Sequence, residues 1–151
     1  MSSTSSTVRV ARIDVFPIKS LAGVSLDEAR ITEGGILEHD RVWAMVDAEG
    51  VFLNGKRTPR VHDLRCHYEP SLTEVTLWER GDTSGPQFSL EERAPLERWL
   101  SDFFEMPVSL KHDPHRGFPD DGEASGPTVI SAASLLEQRL SAILQGLSLT
   151  A

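Results

Sequence analysis

Arg41-Val42-Trp43-Ala44-Met45-Val46-Asp47-Ala48-Glu49-Gly50-Val51-Phe52-Leu53-Asn54 is the stretch on which the fold turns. Residues 41–47 are the most hydrophobic strand-like run of the chain, Ala48-Glu49-Gly50 supplies a turn, and 51–54 return to strand character. A strand, a short Gly-containing turn and a second strand predict a β-hairpin, and with it an antiparallel sheet.

The same rhythm extends outward in both directions. Upstream, 8–18 reads as a first strand stopped by Pro17, and 24–31 as a second. Downstream, 62–69 and 74–80 alternate apolar and polar residues as half-buried antiparallel strands do. The period then changes. Leu96, Trp99, Leu100, Phe103 and Phe104 fall at helical spacing, with Pro95 suited to the first helical position, so a helix is expected over 95–104. Residues 106–110 return to strand, and 113–127 are rich in Pro, Gly and Asp as linkers are. Beyond it, 128–131 reads as a short strand entering a helix, with Ser134 and Glu137 spaced as a capping box ahead of Leu135, Leu136, Leu140 and Ile143. The expected organisation is a tail at 1–7, a domain over 8–113, a linker at 114–127 and the start of a second domain at 128–151. The fold class is α+β, mainly β: an antiparallel barrel-like sheet with one packed helix, then a linker and an incomplete second domain.

Composition narrows the function. The 151 residues carry 15 Lys+Arg against 23 Asp+Glu, a formal charge of -8. Such a field repels phosphate polymers, so a nucleic-acid partner is not expected and any phosphate site must be local. The single cysteine, Cys66, excludes an intrachain disulfide framework and points to a reducing compartment, the cytoplasm. No apolar run is long enough to span a bilayer, so no membrane partner is expected. His112 and His115 flank Asp113-Pro114 without further ligands, a poor zinc site.

Two segments carry candidate chemistry. In Phe16-Pro17-Ile18-Lys19-Ser20-Leu21-Ala22-Gly23, a strand breaks at proline and delivers an ammonium, a hydroxyl and free backbone N–H groups into one loop, a plausible oxyanion seat. The plainer reading is a solvated turn. In Gly34-Gly35-Ile36-Leu37-Glu38-His39-Asp40-Arg41, a turn precedes an Asp-Arg pair at the mouth of a strand. That pair is an ordinary ion pair unless Arg41 points to the side of Lys19, where a bidentate guanidinium and a point-charge ammonium would grip one phosphate.

These two segments, together with the Gly hairpin and the following Arg57 and Arg60, the Glu97–Phe104 helix and Val108–Asp113, resemble in order the N-terminal β-barrel domain that precedes MOSC domains. It occurs in YcbX-like proteins, the mitochondrial amidoxime-reducing component and the C-terminal part of molybdenum-cofactor sulfurase. The resemblance covers roughly 8–113; Leu21 stands where the family often has Cys. It implies molybdenum cofactor (molybdopterin) as the ligand, with Lys19, Ser20 and Arg41 on its phosphate. It further makes Thr128–Leu140 resemble the start of a MOSC domain, where Ser131 at a helix N-terminus is either another phosphate contact or simply a cap. The thiolate ligand of the family lies beyond that region, and Cys66, inside an alternating strand, is expected to be a buried inert thiol. The chain is therefore expected to be a cofactor-binding portion of an oxidoreductase or sulfur-transfer protein, not catalytically complete by itself. Its expected partners are the missing MOSC domain or a separate MOSC subunit, and an electron-transfer partner. The alternative is a non-catalytic scaffold that has lost cofactor binding or pairs with that subunit.

Overall fold

A computed structural model describes residues 9–120 and 126–137. The Cα trace separates into a compact unit, Arg12–Gly126, and a second that includes 127–137. In the first unit the order is β1 (Ile13–Val15), β2 (Val24–Leu26), β3 (Trp43–Val46), a 3-10 turn (Pro59–Asp63), β4 (Leu64–Tyr68), β5 (Glu74–Glu79), β6 (Gln87–Ser89), α1 (Arg93–Phe104) and β7 (Ser109–His112).

All named strand pairs are antiparallel, but they form three small sheets, β1-β2, β3-β7 and β4-β5-β6. No closed barrel is formed among the described residues. The expected barrel-like sheet thus resolves into separate ladders of strands 3 to 6 residues long. The cause is local: Pro17 ends β1, and the 3-10 turn occupies the start of the expected 62–69 strand. The ladders are joined by side chains instead. Val15, Ile18, Met45, Val75, Leu77, Leu90, Leu96 and Leu100 are essentially inaccessible to solvent and share one core.

The hairpin at 41–54 exists in reduced form. Asp47 N–H donates to Val51 O, Leu53 N–H donates to Met45 O, and Val46 bridges Phe52, but the main ladder partner of β3 is β7. Asp47 closes the turn further by accepting from Glu49 and Val51 N–H.

Helix α1 begins at Arg93, two residues before Pro95, because Ser89 Oγ receives the N–H groups of Glu91 and Glu92 and turns the chain there. It ends where Glu105 takes a left-handed conformation. Its apolar stripe, Leu96, Leu100, Phe103 and Phe104, is buried at i, i+4, i+7, i+8 spacing. The polar flank of α1 docks β7. Arg93 donates to Leu110 O, Glu97 Oε1 accepts from Leu110 N–H at 2.8 Å, and Ser101 Oγ accepts from Val108 N–H at 2.9 Å.

In the second unit, residues 132–137 are helical. Ser131 Oγ accepts from Ser134 N–H at 3.0 Å, so the cap is Ser131, and the Ser134–Glu137 capping box is displaced into the helix. Val129, Ile130 and Leu136 are exposed. The expected helix residues Leu140 and Ile143 lie outside the described residues.

Truncating Leu100, fully buried in the core, opens an apolar cavity that offers water no polar partners. Leu100→Ala is expected to cost about 2–5 kcal/mol of unfolding free energy. Urea denaturation followed by tryptophan fluorescence reads the shift in midpoint.

Candidate anion-binding site

The site forms where the chain segment after β1 runs beside the segment that enters β3. Arg41 N–H donates to Phe16 O, Trp43 N–H to Pro17 O, and Lys19 N–H to Trp43 O, a parallel stitch that sets 16–19 alongside 41–43. This register decides that Lys19 and Arg41 emerge on the same side.

Asp40 anchors the stitch. The residue is 7% exposed, with Oδ1 accepting from Phe16 N–H at 2.9 Å and Oδ2 meeting Arg41 Nε at 3.0 Å and Nη2 at 2.9 Å. The ordinary ion pair read from the sequence is therefore real. It also aims the remaining nitrogen of Arg41, Nη1, at Asp120 Oδ2, 3.4 Å away.

Lys19 reaches the same carboxylate from the other side. Its ammonium is nearly buried, 9% exposed for the residue, and lies 3.0 Å from Asp120 Oδ1. It donates to Phe118 O at 3.0 Å and Pro119 O at 2.8 Å, and stands over the Phe52 ring. Lys19 and Arg41 thus converge on one anionic group, the Asp120 carboxylate. Ser20 is exposed beside them with φ +72.

The stretch 113–120, expected from composition to be linker, is hydrogen-bonded to this unit. Asp113 N–H donates to Val42 O and Phe118 N–H to Arg41 O. Gly117, at φ +61, permits the approach: a β-carbon there would stand 3.1 Å from the carbonyl oxygens of both Asp40 and Arg41. Gly34 does the same on the other side, since a side chain would collide with His115 O. Ser20, His39 and Arg41 all hold positive φ without being glycine. Such strained residues gather where the surrounding structure over-determines them, commonly at binding sites.

The electrostatics follow from these contacts. Asp120 has its carboxyl held below the ordinary carboxylate range, chiefly by the hydrogen bond from Lys19 and then by the charges of Lys19 and Arg41, against an opposing effect of burial. A depressed carboxyl contributes stability above its unfolded pKa of about 3.9 and loses it as pH falls through the folded value, so the bridge is intact at neutral pH. Asp113 is also held low, first by the Arg116 N–H and then by that of His115. His112 is pushed down by burial and by Arg93, and stacks on Trp43 at 3.8 Å.

Other candidates are placed elsewhere. Ser131 lies in the second unit as a helix cap. Arg60 pairs with Glu105 and lies over the Phe103 ring, a structural role. Cys66 is half-buried on the Leu64/Tyr68 face, its thiol pushed up by burial, with Sγ 3.6 Å from Ala22 O. The Tyr68 hydroxyl lies near Cys66 and Ile18 O, forms no hydrogen bond of regular geometry, and is pushed well up by burial. Among the described residues no three His, Cys, Asp or Glu side chains group as metal ligands, and no helix is long and apolar enough to cross a membrane.

Asp40→Ala leaves the Phe16 N–H without its acceptor and Arg41 without its anchor. A loss of roughly 2 kcal/mol is expected, from the value of a hydrogen bond to a charged group. Asp40→Asn, which keeps an acceptor for Phe16, is expected to lose less; chemical denaturation of the two variants reads the difference.

Comparison with known proteins places the chain in a family. A stretch of 49 residues, 32% of this chain, is 43% identical to a molybdenum cofactor sulfurase of Solanum lycopersicum, and spans 6% of that protein's length. The family model described as the MOSC N-terminal beta barrel domain matches residues 7–98, more than half of the chain and inclusive of Lys19, Ser20, Asp40 and Arg41. The chain therefore belongs to the MOSC N-terminal beta barrel domain family.

Proposed function

We propose that this domain supplies the phosphate-binding seat for molybdopterin, with Lys19 and Arg41 gripping the terminal phosphate and Ser20 offering its hydroxyl from the same loop. One observation carries the reading: Lys19 and Arg41 meet opposite oxygens of a single carboxylate, Asp120, as they would meet two oxygens of a phosphate. The donor set suits that group. Arg41 is held at Nε and Nη2 by Asp40, and Lys19 by two carbonyl oxygens, so each presents a preset donor at low ordering cost.

When bound, the molybdenum cofactor supplies the redox or sulfur-transfer chemistry. This chain's residues hold the phosphate end. Aromatic Phe52 beneath the Lys19 ammonium lowers local solvation and strengthens its field. A MOSC domain, in the same polypeptide or as a separate subunit, completes the pocket. The exposed Val129, Ile130 and Leu136 favour such a partner, because apolar side chains of this kind gain by being covered. A reductase role would add an electron-donor protein. Ser131 contributes little to the reading, since its hydroxyl is engaged in capping.

The test is binding of molybdopterin to the purified chain and to the chain joined to a MOSC domain, each beside Lys19→Ala/Arg41→Ala. Losing two charge-assisted hydrogen bonds is expected to weaken binding by about a hundredfold or more. Equal affinity of the MOSC-joined protein with and without the two cations would refute the assignment.

A further inference from the structure

The seat is already taken by a group of the chain itself. An ammonium has three protons to donate. Those of Lys19 are directed at Phe118 O, Pro119 O and Asp120 Oδ1. Two of these acceptors are backbone, so only the bond to Asp120 is exchangeable for a ligand oxygen. On Arg41, Nε and Nη2 are committed to Asp40, which leaves the Nη1 contact with Asp120 Oδ2. Both exchangeable donors therefore end on one carboxylate, and that side chain is 69% exposed.

We infer that Asp120 is a built-in competing anion, whose carboxylate must leave before an external phosphate enters and which makes the seat select dianionic phosphomonoesters over monoanionic diesters. The inference rests on the phosphate-seat reading above.

The charges explain the selectivity. Lys19 and Arg41 face Asp40 and Asp120, two cations against two carboxylates. A monoanion replacing Asp120 restores the same balance and gains nothing. It also competes with a tethered group whose effective concentration is in the millimolar range or higher, so a dilute monoanion loses. A phosphomonoester brings a charge of about −1.5 to −2 at neutral pH and three acceptor oxygens.

Geometry points the same way. The Arg41–Asp120 contact, 3.4 Å, is longer than the roughly 2.7–2.9 Å of a full charge-assisted bond, whereas Lys19–Asp120 is 3.0 Å. Asp120 meets Lys19 more closely than it meets Arg41. The broader face of a phosphate closes that gap.

The experiment uses the full chain with methyl phosphate and dimethyl phosphate as probes, comparing wild type, Asp120→Asn and Lys19→Ala/Arg41→Ala by calorimetry. If Asp120 occupies the seat most of the time, Asp120→Asn is expected to bind methyl phosphate about tenfold more tightly, since apparent affinity scales with the free fraction. Its preference for monoester over diester should also narrow. In wild type at about pH 7.5, where methyl phosphate is mostly dianionic, the carboxylate resonance of Asp120 should move to the position of a solvated aspartate as methyl phosphate saturates the protein. Unchanged affinity in Asp120→Asn, or an Asp120 carboxylate resonance that at the same pH does not move at saturation, overturns the inference while leaving the seat standing if the double variant still abolishes binding. Binding that persists in the double variant, or no saturable binding by Asp120→Asn, overturns the seat itself and the inference with it.

Discussion

A carboxylate cannot be buried without partners, and Asp40 meets that requirement by tying together two parts of the chain that are 24 positions apart. One oxygen takes the Phe16 N–H and the other takes the guanidinium of Arg41. Once those bonds form, 16–19 must lie beside 41–43, and the stitch of backbone bonds through Pro17, Trp43 and Lys19 follows. Trp43 in turn begins β3, whose ladder with β7 leads directly into the 113–120 segment and its contacts with Lys19 and Arg41. The binding loop and the sheet are therefore positioned by the same buried group.

The chain as a whole is acidic, at -8, yet its candidate site attracts anions. Distance reconciles the two. At physiological ionic strength exposed charges are screened beyond about 8 Å, while the contacts at the site lie within hydrogen-bonding reach. Partial burial of Lys19 adds to this, because its field is less diluted by solvent than that of an exposed lysine. A polyanion, which must bring many charges within that range of the acidic surface, is still repelled.

Much of the site was legible in sequence because its parts are local. Pro17-Ile18-Lys19-Ser20 announces a strand that breaks into a polar loop, and Asp40-Arg41 at a strand mouth announces a paired guanidinium. Asp120 was not legible, since it meets Lys19 across about a hundred positions and sits in a stretch whose Pro, Gly and Asp content reads as linker. Those same residues serve docking here: Gly117 allows contact with Asp40 and Arg41, and Pro119 lends its carbonyl. For the fold, strand character was readable and strand partnership was not. The 41–54 hairpin has strong local turn chemistry, yet β3 forms its four-residue ladder with β7, which α1 holds from the far side, and meets the return strand only through the Val46–Phe52 bridge and the Leu53–Met45 bond. Likewise alternation identified half-buried strands but carried no information on whether their ladders close.

The docking of α1 on β7 has a consequence for how the protein behaves among copies of itself. A strand paired on one side exposes a row of unpaired N–H and C=O groups on the other, and such a row recruits strands from other molecules. In β7 and the residue just before it, that outer row is occupied by the Arg93, Glu97 and Ser101 side chains, which meet the backbone of Val108 and Leu110 at successive outward-facing positions. The helix thus imitates a neighbouring strand without offering a further edge of its own. Growth of the β3-β7 ladder is blocked at that edge, which is kept from pairing with a strand of another molecule.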